Sequence, residues 1–414
     1  MPSPDLISLS LFKATPAQVI ESLRRARSHW GKDFTEEEYA NRDESWIKKL
    51  ECAKDGKFTT WVLAPRDDPE TLNFKCSCKT FKRPGITAKN IENADIQPKN
   101  VFIYAIGSVF TPSVHRGCGY AGHMMRLLHW VLAPDSYLEQ FVFPTDLWGE
   151  PPQRYPGAGD GAVSVLYSDI GPTFYATCAV LLKGGSGPVD YNESDDIRAG
   201  WIVRDPSSVI WNTPATVSEP DALLSEDETW NWLDEQEVDN LWDHDASLMS
   251  SDLISTISSP TTPESVAFAM LPNGGIEPFN RRRYIHILQD YDITQWGALV
   301  HNSSNPTVPR SFVTWTVEIP RKGVQYDPEF AKKLILTRLR VENTDHFRVL
   351  LLRAFEVARK HDIPTVEVWD LAEELKGAAR DLGGNEFLRE NKLSAFKWYG
   401  QEMSRDVKWM FNER

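Results

Sequence analysis

One short segment concentrates residues that can bind an anionic ligand through the backbone. Residues 109–125 read VFTPSVHRGCGYAGHMM, with glycines at Gly117, Gly119 and Gly122 and an arginine at Arg116. Glycine admits positive φ and lets a ligand approach the main chain without a Cβ in the way. Backbone amides at the first turn of a helix also carry the positive end of the helix dipole, about half a unit charge. The segment therefore predicts a phosphate or pyrophosphate site where a strand gives way to a helix.

Two common nucleotide motifs do not account for this segment. The lysine and hydroxyl of a P-loop are absent, and no acidic residue follows on the next predicted strand at the spacing that dinucleotide-binding folds require. The remaining pattern is R-x-x-G-x-A, beginning at Arg116, directly after a β-type run that ends in SVFTP. A plain glycine-rich turn between a strand and a helix is the alternative interpretation.

The R-x-x-G-x-A pattern resembles the acetyl-CoA loop of the GNAT superfamily of N-acetyltransferases. The resemblance implies that acetyl-CoA is the co-substrate, with its pyrophosphate on the amides of residues 116–122. Its pantetheine arm would pair with the strand at residues 109–111, as an added strand would. The implied cofactor-binding residues are Val109, Phe110, Thr111, Arg116, Gly117, Cys118, Gly119, Tyr120, Ala121 and Gly122.

A second segment, LYSDIGPTFYATCAV at residues 166–180, resembles the later F-Y-x-x-x-G-F segment of the same family. Phe174 and Tyr175 match it, whereas Ala179 and Val180 stand where glycine and phenylalanine are usual. The resemblance implies that Tyr175 is the general acid that protonates the departing CoA thiolate. A phenol with a pKa of about 10 can supply a proton to a thiolate with a pKa of about 8.5. A buried tyrosine that only packs the helix is the alternative.

No motif in the sequence matches the general base, the group that accepts a proton from the acceptor amine. Many members of the superfamily place a glutamate on the strand before the loop, but here that strand, VFIYAIGSVF, offers only Tyr104 and Ser108 as polar groups. We expect Asp169, at the end of the next predicted strand, to accept the proton from the acceptor ammonium, directly or through water. The histidines remain open as further candidates: His29, His115 and His123.

The elements that must position these residues follow a mixed order. Residues 15–50 predict two helices, the second opening on a capping box at Thr35 and Glu38. Apolar residues at helical spacing make residues 121–133 a helix, and PTFYATC predicts a short one. Branched and aromatic runs predict strands at 58–65, 73–83, 101–110, 162–169 and 179–184. We therefore expect an α+β (α/β) GNAT fold, a mixed central β-sheet flanked by helices.

An acidic segment follows. From Asp205 to Asn280 there are 15 acidic residues and no Lys or Arg, so the net charge of −14 belongs to this part of the chain. Its apolar residues predict one or two amphipathic helices: Trp230, Leu233, Val238, Leu241, Trp242, Met249 and Leu253. We expect three parts: a catalytic domain at 1–204, an acidic helical linker at 205–262 and a C-terminal domain at 263–414.

The C-terminal part repeats the strand–helix–strand order without the glycines. Strands are predicted at 311–320, 333–342 and 364–371, with a helix at 346–361 between the last two. At the turn that matches the glycine loop the chain reads ENTDHF. We therefore expect a degenerate GNAT-like lobe that lacks the acetyl-CoA loop.

Several further segments resemble the fungal lysine N6-acetyltransferases: SHWGKDFTEEEYANRDE, CKTFKRP, SVLYSDIGPTFY and WYGQEMSRDVKWMFNER. This resemblance implies acetyl transfer to the N6-amine of free L-lysine in lysine catabolism, with a small-molecule amine as the partner. Acetylation of a polyamine or an amine-bearing toxic metabolite is the first alternative. A non-catalytic CoA-binding or interaction protein is the second.

Composition excludes other classes of function. The charge outside the acidic segment is close to neutral, which makes nucleic acid a poor partner. No apolar run approaches the length of a membrane span, and five scattered cysteines fit reduced thiols, so we expect a cytoplasmic protein. Cys76 and Cys78 form a C-x-C pair without a second pair, and we interpret them as strand residues and expect no metal. The sequence does not determine the oligomeric state.

Overall fold

The computed structural model describes residues 5–32, 34–41, 47–90, 95–180, 200–216, 220–259, 265–273, 291–319 and 332–411. It divides into two compact units, each assembled from separate stretches of sequence. The first comprises Met1–Arg204, Met249–Gly275 and Glu390–Met410, and the second comprises Asp205–Leu248, Ile276–Arg389 and Phe411–Arg414.

The described residues form strands and helices in a mixed order. The strands are β1 (Leu9–Lys13), β2 (Phe58–Pro65), β3 (Cys76–Lys89), β4 (Lys99–Phe110), β5 (Gly161–Ser168), β6 (Ile202–Val203), β7 (Ser207–Asn212), β8 (Glu228–Leu233), β9 (Val266–Met270), β10 (Gly297–Asn302), β11 (Asn305–Glu318), β12 (Lys333–Arg340), β13 (Thr365–Trp369), β14 (Asn385–Leu388), β15 (Leu393–Trp398) and β16 (Val407–Trp409). The helices are α1 (Pro16–Trp30), α2 (Glu36–Ala40), α3 (Tyr120–Leu132), α4 (Asp135–Leu138), α5 (Thr145–Trp148), α6 (Thr173–Ala176), α7 (Glu235–Ser258), α8 (Thr344–Lys360) and α9 (Glu373–Asp381).

The first unit is built on a sheet with the order β1-β2-β3-β4-β5-β15-β6, in which β9 pairs with β3 and β16 with β9. Only β4 and β5 are parallel along that order, as expected for two strands joined by a crossover helix. That helix is α3, which buries Met124, Leu127 and Leu128 in the core of this unit. Because β15 lies between β5 and β6, a strand from the end of the chain is internal to the first sheet.

The second unit repeats this plan. Its sheet has the order β14-β7-β13-β12-β11-β10-β8, and β12 and β13 form its parallel pair. Helix α8 connects that pair and buries Phe347, Leu350 and Leu351 in the core. Strand β7 lies between β13 and β14, so this sheet also contains a strand from a distant stretch of sequence.

The predicted fold class is confirmed by this architecture. Both N-terminal helices begin at capping boxes, Thr15 with Gln18 and Thr35 with Glu38, as proposed for the second of them. Helix α2 is shorter than expected because the chain continues in 3₁₀ turns from Ile47. Residues 179 and 180 are not in a strand, and the rest of the strand predicted at 179–184 lies outside the described residues.

The predicted division of the chain differs from the observed one. The segment at 205–262 is not a linker of helices alone, because it supplies β7 and β8 to the second sheet before α7 begins. Trp230 therefore lies on a strand. The stretch at 263–414 is not one domain, because β9, β15 and β16 belong to the first sheet. The pattern of apolar and polar residues predicts where strands and helices form, but it does not predict which sheet a strand joins.

Two further findings concern the described residues only. None of their helices is long and apolar enough to cross a membrane. No group of His, Cys, Asp and Glu side chains among them could hold a metal ion. Cys76 and Cys78 are alternate residues of β3, and both are buried.

Candidate functional site

Strand β4 changes its pairing just before the glycine loop. Its last partner on β5 is Leu166, which lies opposite Ile106, yet β4 continues to Phe110. On its other side Lys79 faces Gly107 while Ser77 faces Phe110, so two residues of β4 stand opposite Cys78 alone. This is a β-bulge, and its first residue, Ser108, has a φ of 52°.

The bulge and the loss of pairing leave the end of β4 with an unpaired edge toward β5. A peptide-like arm can add to such an edge by main-chain hydrogen bonds, as a further strand would. The residues on that edge, 107–110, include Val109 and Phe110 of the predicted pantetheine site, and Thr111 follows directly.

The glycine loop presents backbone amides at the start of α3. Gly117 and Gly119 have φ values of 75° and 76°, and Gly119 caps the helix without a side chain. A Cβ at either position would meet nothing within 4 Å, so the left-handed backbone rather than packing requires glycine there. Within the described part of the chain, the amides of residues 117–122 have no hydrogen-bond partner.

The loop is exposed at Gly117 and Gly119, whereas Gly122 is buried. Arg116, which is exposed, donates from Nε to the carbonyl of Thr111 at 3.1 Å, and this contact joins the loop to the end of β4. A diphosphate matches this arrangement, because it accepts several N–H donors and its charge is favoured at a helix N-terminus. The loop residues predicted from the sequence therefore lie together, from Val109 to Gly122.

Tyr175 lies on α6 and is 7% exposed. Burial raises its pKa above the ordinary value, and nearby thiols, Cys178 first, act in the same direction. Its hydroxyl has no hydrogen-bond partner among the described residues. The phenol therefore keeps its proton at neutral pH. A general acid must be protonated in this way, and the role of Tyr175 as the acid stays a prediction.

A buried hydrogen-bond network supports the helix that carries Tyr175. His129 on α3 lies 2.9 Å from the Tyr399 hydroxyl through Nδ1 and 2.9 Å from the Cys178 carbonyl through Nε2. Tyr399 also lies 2.9 Å from the Ser164 hydroxyl, and the indole nitrogen of Trp201 lies 3.1 Å from His129 Nε2. Because the Cys178 carbonyl can only accept, Nε2 donates to it and Nδ1 accepts from the Tyr399 hydroxyl. The network thus joins α3, β5, the end of α6 and the segment after β15.

A second contact fixes the same region. Arg126 on α3 donates from Nη2 to the carbonyl of Thr177, the residue that ends α6, at 3.1 Å. The helix whose N-terminus carries the loop is therefore bonded directly to the helix that carries Tyr175. Their relative position depends on α3 as a rigid element.

The proposed base is located away from this network. Asp169 follows β5, is exposed, and accepts a hydrogen bond from the backbone amide of Lys392 at 3.2 Å. It is close enough for its charge to contribute to the raised pKa of Tyr175, as the smallest of the causes. Its role as base stays a prediction.

The other base candidates have different surroundings. His29 is exposed on α1, whereas burial, and then the charges of Lys75 and Arg25, lower the pKa of His115. Burial and nearby arginines lower the pKa of His123 to about 4. The hydroxyl of Tyr104 donates to Asp160 at 2.8 Å.

A cavity opens beside the bulge in the first unit. Its volume is about 10 Å³, which is room for about one water molecule, and it lies among α1, α2 and strands β2, β3 and β4. Polar side chains dominate its lining: Ser22, Tyr39, Thr60, Ser77, Lys79 and Ser108. The sequence analysis did not find this cavity, although Lys79 stands in CKTFKRP, one of the segments that carried the family resemblance. Tyr399 likewise stands in WYGQEMSRDVKWMFNER.

The matching turn of the second unit is built differently. Asn343 caps α8 by accepting from the amide of His346 at 2.8 Å, so a side chain already occupies that helix N-terminus. Glu342 accepts from Arg310 at 2.8 Å, and Asp345 adds a negative charge in the first turn. The cap and the two carboxylates disfavour an anionic ligand at this helix N-terminus, and the absence of an acetyl-CoA site in this lobe stays a prediction.

Comparison with known proteins agrees with this architecture. The family model described as "LYC1 GNAT-like C-terminal domain" matches residues 212–414. A curated protein, "Lysine acetyltransferase" of Yarrowia lipolytica (strain CLIB 122 / E 150), is 27% identical over 112 residues. That alignment covers 27% of this chain and only 26% of the relative, about a quarter of its length.

The chain is also similar to solved structures. A probable N-acyltransferase from Enterococcus faecalis V583 aligns with a TM-score of 0.51 at 9% identity, over 95% of this chain and 73% of that one. A GCN5-related N-acetyltransferase from Kribbella flavida aligns with a TM-score of 0.46 at 12% identity, over 94% and 70% of the two chains. The resemblance seen in the sequence is thereby confirmed: residues 212–414 match the LYC1 GNAT-like C-terminal domain, and the fold of the chain is similar to that of the Enterococcus faecalis probable N-acyltransferase.

Proposed function

We propose that this protein transfers the acetyl group of acetyl-CoA to the N6-amine of free L-lysine. The observation that carries the acetyl-CoA part is the row of unpartnered amides at Gly117–Gly122, which directly follows the bulged end of β4. The same chain thus offers a diphosphate site and an unpaired strand edge in sequence, as an acyl-CoA requires. Support for lysine as the acceptor comes from the name of the Yarrowia lipolytica relative and from the sequence motifs shared with the fungal enzymes.

In the proposed reaction the acceptor amine attacks the thioester carbonyl carbon, a C–N bond forms, and the C–S bond breaks. As the C–S bond breaks, Tyr175 donates its phenolic proton to the departing thiolate sulfur, so CoA leaves as the thiol. The attacking ammonium must first lose a proton, and Asp169, through water, is the acceptor we propose. The nitrogen, which carries an extra proton once the C–N bond has formed, loses it to water, and the tyrosinate regains a proton from solvent before the next turnover. One proton is released overall.

The first unit would position acetyl-CoA for the reaction. The open amides of the loop would hold the diphosphate, while the edge of β4 would orient the arm that carries the thioester. The contact from Arg126 to Thr177 keeps the loop helix and α6 in a fixed relation, so that a bound thioester and the phenol meet in one geometry. We place the reaction in the cytoplasm, because all five cysteines are free thiols.

The test is release of CoA thiol from acetyl-CoA with a panel of amines that includes L-lysine, cadaverine and spermidine. We expect L-lysine to give the highest kcat/KM and the product to be N6-acetyllysine by mass spectrometry. Acetylation of spermidine in preference to L-lysine would support the polyamine alternative. Binding of acetyl-CoA without thiol release to any amine would show a CoA-binding protein instead.

A further inference from the structure

We infer that Arg126 on α3 connects the diphosphate of acetyl-CoA to the end of α6, as a positioning residue that lies outside the glycine loop. The inference rests on the proposed function and deepens it, because it makes the placement of Tyr175 depend on the bound cofactor. One guanidinium would contact both a phosphate oxygen and the helix that carries the proposed acid.

The guanidinium of Arg126 lies against the glycine loop. Arg126 follows Gly122 by four residues, so both lie on one face of α3, and side chains on a helix tilt toward its N-terminus. A Cβ built on Gly122 would stand 3.2 Å from Nη1 of Arg126 and would crowd it. Gly122 thus differs from Gly117 and Gly119, where a Cβ would meet nothing within 4 Å. The position of Arg126 gives a packing reason for the third glycine of the loop.

The hydrogen bonds of Arg126 leave donors and a charge for a ligand. A guanidinium has five N–H donors, and the only hydrogen bond that Arg126 makes with the described residues runs from Nη2 to the Thr177 carbonyl at 3.1 Å. Nη1, the nitrogen beside Gly122, has no partner among those residues, and neither has the buried Nε. Arg126 also forms no ion pair with a described carboxylate. Its positive charge is therefore available to an anionic ligand.

A diphosphate has the charge that Arg126 can neutralise. Each phosphate of the CoA diphosphate is negatively charged, whereas the loop itself offers backbone amides and one arginine, Arg116. Arg116 is exposed, and its Nε is bonded to the Thr111 carbonyl on the side of β4. Arg126 would supply a second cation on the side of α6. Hydrogen bonds between an arginine and phosphate oxygens are stronger than neutral ones, so this contact would contribute to affinity.

The contact with Thr177 makes this more than an additional anion contact. Thr177 ends α6, the helix that carries Tyr175 two residues earlier. A diphosphate oxygen on Nη1 would restrict the guanidinium, and the bond from Nη2 would pass that restriction to the end of α6. Acetyl-CoA would therefore fix the helix of the proposed acid as it binds. A thioester without a diphosphate would leave Arg126 with the Thr177 contact alone.

The experiment compares acetyl-CoA with S-acetylpantetheine, which carries the same thioester arm without the diphosphate. In Arg126→Gln the ratio of kcat/KM for acetyl-CoA to kcat/KM for S-acetylpantetheine should fall by about tenfold to a hundredfold. Loss of the Thr177 contact alone would lower both values equally, so the ratio isolates the diphosphate contact. Arg126→Lys keeps the charge and should lower the ratio less. The matched control is Arg24→Gln, at an exposed arginine of α1 paired with Glu36, which should leave the ratio unchanged.

Binding provides a readout that does not need turnover. Calorimetric titration should show CoA affinity lowered in Arg126→Gln by about the same factor as the ratio, and urea unfolding near the wild-type midpoint shows that each variant is folded. Inorganic pyrophosphate should compete with CoA less well in the variant than in the wild type. Equal losses for both thioesters, or unchanged CoA affinity, would overturn the inference while the acetyltransferase proposal stands. Absence of thiol release with every amine would instead remove the proposed function, and the CoA titration would still decide whether Arg126 binds the diphosphate.

Discussion

Acid should destabilise the first unit through the buried imidazole of His129. Burial lowers its pKa to about 3, helped by the positive charges of Lys397 and Arg126 and opposed by the Cys178 carbonyl. In the unfolded chain the same imidazole titrates near its ordinary pKa of 6.5. Between these two values the unfolded state binds the additional proton, so stability falls as pH drops below 6.5.

The size of this loss of stability follows from the pKa values of His129 in the folded and unfolded states. Lowering the pH from 7.5 to 5.0 should reduce the free energy of unfolding by about 2 kcal/mol through His129 alone. His123, whose pKa is lowered to about 4, adds a similar loss of about 2 kcal/mol. Together these losses are large beside the typical stability of about 5 to 15 kcal/mol of a folded domain.

Urea unfolding at pH 7.5 and pH 5.0, followed by tryptophan fluorescence, measures this effect. His129→Asn keeps a donor and an acceptor but cannot titrate, so it should be less stable than wild type at pH 7.5. It should also lose about 2 kcal/mol less than wild type on acidification. The matched control is His29→Asn, at an exposed position on α1. An unchanged pH dependence in His129→Asn would refute the reasoning, because it would show that His129 is not held neutral by burial.

Three further predictions concern the loop, the acid and the sheet. Gly119→Val should reduce acetyl-CoA affinity in calorimetry, because a branched side chain at a φ of 76° strains the loop and blocks the approach of the ligand to the backbone. The control Gly56→Val, at a glycine with the same φ and the same open surroundings, should bind acetyl-CoA normally. Tyr175→Phe should lower kcat by about 10²- to 10⁴-fold with acetyl-CoA affinity retained, and wild-type turnover would make Tyr175 a packing residue. A chain ending at Arg204 lacks β15, so it should not unfold cooperatively in circular dichroism and should not bind acetyl-CoA in calorimetry. A folded fragment with normal affinity for acetyl-CoA would contradict the sheet order.

The sequence predicted the loop and its neighbours because their signals are local. A glycine needs no distant partner to take positive φ, and α3 shows its apolar stripe within four turns, so Gly119 and the helix after it could be placed from the chain alone. Strand β2 was predicted with the bounds that the structure shows, Phe58–Pro65. The capping box at Thr35 likewise marked where α2 begins.

Features that depend on distant residues could not be predicted in this way. The alternation in residues 393–398 marks a short apolar strand, but nothing within it says that it pairs with β5 rather than with its neighbours in sequence. His129 was seen only as a helix residue, because its partners, Tyr399 and Cys178, are 270 and 49 residues away. The cavity at Lys79 is lined by five elements, and no sequence spacing connects them.

The position of β15 connects these observations. Its residues Ala395 and Phe396 pair with β5 on one side and with β6 on the other, which places it inside the first sheet. Tyr399, directly after this strand, bonds to the histidine that contacts the end of α6. The matched C-terminal family domain, residues 212–414, therefore contains a strand and a tyrosine that support the proposed acetyl-transfer site of the first unit. A chain without these residues would keep the glycine loop and Tyr175 but would lose contacts that support the end of α6.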